Sequence, residues 1–267
     1  MEEDKEIRDQ EDQADNDEMG FLDHLEELRW RIIKSVIGIV IGAIIVGIFI
    51  DDIMKYVIFA PAKHTEPPLT IINLKPYGQF TLYMQVIIIG GIIASIPNII
   101  YQFWKFIEPA LMPRERKYIS GIVFFTSLCF LIGLVFAYFV LLPTALNFFA
   151  TFGTDIIVNQ IDANEYIQFV MSVCLLAGAV FELPMVSYFL SKVGILKPEF
   201  MRKYRKHAIV AILIIAGIMT PSPDIVSQIM LAVPLFILYE ISIYICKVSQ
   251  KKRESLVTNE DSVQTNQ

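Results

Sequence analysis

Apolar runs long enough to cross a bilayer recur along the whole chain, and nothing else in the sequence constrains the fold as strongly. A hydrocarbon core about 30 Å thick takes about 20 apolar residues as a helix. Residues 32–50, 79–103, 119–142 and 167–190 each supply such a run, and residues 208–219 and 225–246 supply a short one and a further one. In lipid every backbone polar group must be satisfied inside the protein, which a helix does within itself. The expectation is an all-α integral membrane protein with six transmembrane helices, spans five and six being short. Pro97 and Pro184 lie inside spans two and four; neighbouring helices can take up the carbonyls that prolines free. Span five is the tightest fit, because its 12 apolar residues reach only about 18 Å. Such a helix thins the bilayer or shelters its end among partners, so the outer hairpin at Thr220-Pro221-Ser222-Pro223-Asp224 should lie below the other outer loops.

Charge then sets the direction. Lys and Arg alternate in abundance from loop to loop: five precede span one (Lys5, Arg8, Arg29, Arg31, Lys34), three follow it (Lys55, Lys63, Lys75), and four follow span two (Lys105, Arg114, Arg116, Lys117). None lies in residues 143–166, six follow span four (Lys192, Lys197, Arg202, Lys203, Arg205, Lys206), none lies in the turn after span five, and Lys247, Lys251, Lys252 and Arg253 follow span six. The positive-inside rule places both termini in the cytoplasm of a multi-pass cell-membrane protein. The formal charge of −6 hides this pattern. It comes from residues 1–19, where ten acidic and two basic residues sit without apolar periodicity. That stretch is expected to be a disordered acidic tail, followed by a membrane domain over 20–247 and a cytoplasmic tail over 248–267. It lacks the basic start and apolar run of a secretory signal.

Three features could carry chemistry. Phe21, Leu22, Leu25 and Leu28 fall on one face of a helix leading into span one, with Glu27 off that face and within i, i+4 reach of Arg31. After span two, Phe103-Trp104-Lys105-Phe106-Ile107-Glu108-Pro109-Ala110-Leu111-Met112-Pro113-Arg114-Glu115-Arg116-Lys117 joins an aromatic belt to one acid among bases. Glu182 lies eight residues short of Leu190, about 12 Å inside span four, where an ionised unpaired carboxyl is costly and marks a functional position by default. Glu240 lies close enough to Lys247 to reach the rim, and Asp224 is placed to cap span six.

Catalytic patterns are missing. His24, His64 and His207 are scattered, and no nucleophile elbow, phosphate loop or metal-ligand spacing occurs. Cys129, Cys174 and Cys246 lie in apolar runs without paired spacing, which reads as packing rather than a disulfide or zinc site. The chain is therefore expected not to be an enzyme, to hold no metal or cofactor, and to bind no nucleic acid. One alternative stays open, a proton-coupled secondary transporter using Glu182.

Taken in order, the motifs resemble the TatC family, the signal-peptide-binding subunits of the twin-arginine protein translocase. They are His24-Leu25-Glu26-Glu27-Leu28-Arg29, Phe106-Ile107-Glu108-Pro109-Ala110-Leu111 with Glu115-Arg116, Phe136-Ala137-Tyr138-Phe139, Phe181-Glu182-Leu183-Pro184, and Thr220-Pro221-Ser222-Pro223-Asp224 with Ser227-Gln228. The last turn is one residue longer than the Pro-Pro-Asp form also associated with the family. The resemblance implies a receptor for twin-arginine signal peptides of folded cargo. It would form oligomers and gather single-span TatA-type, and often TatB-type, partners for transport driven by the proton-motive force. It also implies signal-peptide contacts at Glu27, Phe106, Glu115, Arg29 and Leu111, and transport or partner-docking roles for Glu182, Asp224, Gln228 and Pro61. The chemistry suits the first set, because a carboxylate binds guanidinium in a two-pronged fork that lysine cannot make.

Overall fold

The computed structural model describes residues 3–108, 119–151, 160–219 and 225–264, with side chains described within residues 24–250. Helix α1 covers Glu3–Ile48, so the segment before span one and the span itself are one continuous helix. A π-helical turn, Ile53–Ile58, and a short helix, Ala60–Lys63, lead to strand β1, Thr70–Ile72. Helices α2 (Gly78–Ala94) and α3 (Ile96–Ile107) meet at a 50° bend. Helix α4 (Ile119–Phe136) continues through a π-helical turn into α5 (Leu142–Thr151). Strand β2 (Gln160–Asp162) precedes α6 (Ala163–Phe181) and α7 (Leu183–Val193). The short α8 (Pro198–Lys203), α9 (Arg205–Met219) and the long α10 (Ile225–Gln264) complete the chain.

Four stretches are long and apolar enough to cross a membrane: His24–Ile48, Ser120–Thr151, Ala163–Lys192 and Ala232–Gln250, and the bent α2–α3 pair makes a fifth. The remaining apolar segment, α9, has 15 residues and reaches about 22 Å, the short helix anticipated for span five. The side chains fit lipid surroundings. On α1 alone Trp30, Val36, Ile37, Val40, Ile41, Ile44 and Ile48 are exposed, Ile48 at 71%. The molecule is an all-α membrane protein, with one small addition that hydropathy could not reveal: β1 and β2 pair in parallel, Thr70 opposite Gln160 and Ile72 opposite Asp162. Asp162 also accepts from the Asn164 N–H at 2.9 Å, capping α6, and from the Leu74 N–H at 3.2 Å. Desolvation pushes its carboxyl up, but these N–H groups outweigh that and hold it below the usual range.

The largest core lies at the strand end, around Val86, Leu142, Leu146, Tyr166 and Ile167. Two tyrosines tie this core to the π-helical turn. The Tyr138 hydroxyl donates to the Val57 carbonyl at 3.0 Å and that of Tyr166 to the Ile58 carbonyl at 2.6 Å. Pro61 explains the first bond: it has no N–H to return to the carbonyl four residues back, so Val57 is left for a side chain to satisfy. A second cluster at the opposite rim packs Ile122 and Trp104 with Met185 and Phe189.

Helices α1 and α2 touch through small residues. A Cβ on Gly42 would stand 2.7 Å from the Gly91 carbonyl oxygen, and one on Gly91 would stand 2.7 Å from the Ala43 nitrogen. Lipid tails give apolar helices no solvent-driven reason to associate, so backbone approach and interhelical hydrogen bonds do that work.

Candidate functional site at the α1–α3 rim

Helix α3 runs antiparallel to α1, and polar side chains spaced three or four residues apart cross the seam between them. The Ser95 hydroxyl lies 2.7 Å from both the Gly38 and Gly91 carbonyl oxygens. One turn on, the Asn98 amide donates to the Lys34 carbonyl at 3.2 Å. The Gln102 amide donates to Asn98 Oδ1 at 3.4 Å, while Gln102 Oε1 accepts from Arg31 Nη1 at 3.3 Å. Arg31 Nη2 donates to Glu27 Oε1 at 2.9 Å. At the rim, the His24 ring stacks on Phe106 with centroids 4.4 Å apart and 21° between planes. Buried Trp104, edge-on to Phe189 at 4.5 Å, fixes α3 against α7.

Glu27 and Phe106 thus reach the same rim from helices far apart in sequence, and the expected Glu27–Arg31 pair forms. Arg29 is exposed. Lys105 and Glu108 pair at 2.6 Å beside them. A half-buried carboxylate next to a stacked aromatic pair, His24 exposed and Phe106 half-buried, can receive a cation with an apolar flank. Leu111 and Glu115 lie outside the described residues, as does Asp224.

The other expected positions are not gathered here. Glu182 sits at the junction of α6 and α7 and faces α4 at Cys129 and Phe130. Both its carboxyl oxygens are enclosed and make no hydrogen bond among the described residues. Gln228 on α10 donates to the Leu213 carbonyl of α9 at 2.8 Å, holding those helices together. Pro61 is buried at the strand end, on the far side from Glu27. Among the described residues no cluster of His, Cys, Asp or Glu is arranged to hold a metal ion.

Two features escaped the sequence reading. Ser95, Asn98 and Gln102 form a polar stripe at helical spacing inside an apolar run, a visible signal for a buried seam. Glu240, expected to reach the rim near Lys247, has a partner the sequence did not point to: Arg205, 2.7 Å away at the start of α9. The reason is packing: α9 and α10 lie side by side, which brings a cation from another helix within reach of Glu240.

Residues 23–234 match the family described as Sec-independent protein translocase protein (TatC). The chain belongs to the TatC family. Two relatives agree over nearly their full length. TatC of Blattabacterium sp. subsp. Periplaneta americana is 38% identical over 90% of this chain and 99% of its own. TatC of Carboxydothermus hydrogenoformans is 40% identical over 89% of this chain and 96% of its own. A solved structure titled as the twin arginine translocase receptor TatC superposes with a TM-score of 0.74 at 36% identity, covering 85% of this chain and 99% of that one. This TatC-family chain is therefore a membrane subunit of the twin-arginine protein translocase and not an enzyme. The secondary-transporter alternative gives way to that membership.

Proposed function

We propose that the α1–α3 rim is the docking site for the twin-arginine motif of signal peptides on folded cargo. Glu27 and Glu115 receive the two guanidinia, Phe106 and Leu111 supply the apolar flank, and Arg29 borders the site. The observation that carries this reading is the meeting of Glu27 and Phe106 at one rim, joined through the His24 stack. The basic loops support a cytoplasmic placement of that rim and of both termini. The acidic stretch before residue 20 then flanks the membrane domain as a solvated tail, and the residues after 247 flank it on the same side. Glu182, Gln228 and Pro61, away from the rim, together with Asp224, serve transport and the docking of TatA-type, and possibly TatB-type, single-span partners. Copies of the chain assemble within the complex, and the proton-motive force drives export.

Peptide binding tests the rim. A twin-arginine and a twin-lysine peptide are titrated against the wild type, Glu27→Ala and Glu115→Ala. The wild type should prefer arginine, because lysine cannot make the fork. Each charge-assisted bond is worth about 1.5–3 kcal/mol, so each substitution should weaken the arginine peptide roughly tenfold or more and the lysine peptide less. A loss equal for both peptides and graded with salt would reduce the acids to general surface charge. An undiminished arginine preference in both variants would exclude them as the reading residues. Single cysteines at Thr154 or Ser222, in a cysteine-free background, should react from outside and one at Met112 only from the cytoplasm; the reverse pattern overturns the orientation.

A further inference from the structure

An arginine one turn from a carboxylate on the same helix can occupy both carboxylate oxygens with its two terminal nitrogens. Arg31 does not do this to Glu27. Nη2 donates to Glu27 Oε1 at 2.9 Å, but Nη1 is turned to Gln102 Oε1 on α3, 3.3 Å away. Glu27 Oε2 has no partner among the described residues. Gln102 is itself buried, and its amide nitrogen is engaged by Asn98 Oδ1 at 3.4 Å. Asn98 in turn is fixed to the Lys34 carbonyl. The amide that receives Arg31 is therefore oriented by a chain of bonds running back along the seam.

We propose that Gln102 is a positioning residue that keeps Arg31 from closing a two-pronged fork on Glu27, leaving one carboxylate oxygen open to an arginine of the signal peptide. The inference rests on the reading of Glu27 as a docking residue. It makes a residue of the same chain the first competitor for that site, and a neutral amide on the facing helix the device that restrains it. Without Gln102, Nη1 loses its buried acceptor and its nearest strong alternative is the second oxygen of Glu27. The site would then be self-occupied without any change in net charge.

The test is a double-substitution cycle on the full-length protein in lipid nanodiscs, with the twin-arginine peptide as probe. Gln102→Ala should weaken binding about tenfold, the scale of one charge-assisted bond. Arg31→Lys cannot make the fork, so adding Gln102→Ala to Arg31→Lys should change binding no further. Gln102→Glu, which keeps an acceptor for Arg31, should retain binding. Should Gln102→Ala weaken binding equally in both backgrounds, or leave it unchanged in the wild-type background, the positioning role is overturned. A fall in thermal stability that tracks the binding loss and persists with Arg31→Lys would likewise overturn it, marking Gln102 as packing alone. Glu27→Ala in parallel separates the two readings: if it leaves peptide affinity intact, the docking assignment of Glu27 fails whatever Gln102 does.

Discussion

Between α2 and α3 a span is broken at Ser95-Ile96-Pro97; between α6 and α7 another is broken at Glu182-Leu183-Pro184. Each places a polar residue two positions before a proline, and each proline withholds the N–H that would have closed on the carbonyl four residues back. The two breaks are finished differently. Ser95 lies 2.7 Å from carbonyl oxygens on its own helix and on α1, and the chain bends there by 50°. At Glu182 the helix carries on as one 30-residue stretch, Ala163–Lys192, and the carboxyl oxygens are enclosed without a hydrogen bond among the described residues. A hydroxyl that can donate to a nearby carbonyl stabilises a kink. An enclosed polar group without a partner costs about 1–3 kcal/mol, so stability alone does not account for the carboxyl at the second break.

Substitutions at the two breaks should separate stability from transport. The largest effect is expected at Glu182: Glu182→Ala should abolish export of a twin-arginine cargo while peptide binding at the rim stays near wild type. An equal loss of peptide binding would erase the distinction between the two regions. Normal export by Glu182→Gln would exclude a role that depends on charge and leave hydrogen bonding. Next comes Gly91→Val on the α1–α2 seam, where the first added carbon already meets the Ala43 backbone at 2.7 Å. Forcing volume there should destabilise the protein by about 1–3 kcal/mol, read as a lower unfolding temperature in detergent. The smallest effects carry opposite signs. Ser95→Ala should lower stability by about 1 kcal/mol, whereas Glu182→Leu should raise it, because it removes an enclosed group without a partner. Glu182→Leu unfolding earlier than the wild type would show that the carboxyl is satisfied after all, and the contrast between the breaks would collapse.

What the sequence made legible was local. The spans follow from apolar run length and the Glu27–Arg31 pair from i, i+4 spacing; Pro97 and Pro184 were visible inside spans two and four, but the breaks beside them were not anticipated. Contacts between helices depend on rotation and tilt, which run length does not encode. The Arg31–Gln102 bond joins residues 71 apart and the Arg205–Glu240 pair residues 35 apart, and neither follows from spacing. The parallel strand pair brings Leu74 to Asp162 across 88 positions, out of two three-residue segments too short to announce themselves. One local signal was overlooked: Asp162-Ala163-Asn164-Glu165 has the acid-x-x-acid form of a helix start, and Asp162 does cap α6. Glu27 and Phe106 were each readable as members of separate motifs, but their meeting at one rim required the packing of α1 on α3.

That packing has a consequence for how the protein is made. Helix α1 and the α2–α3 pair precede the span carrying Glu182 in the chain, and they are held by backbone contacts at Gly42 and Gly91 and by the Ser95, Asn98 and Gln102 bonds. None of these needs a later helix. The first hairpin can therefore lock as soon as its second arm is inserted, with Glu27 and Phe106 already at one rim, while the span carrying Glu182 is still to be synthesised. The order of birth of the two regions would then match the order proposed for their use, recognition first and transport afterwards.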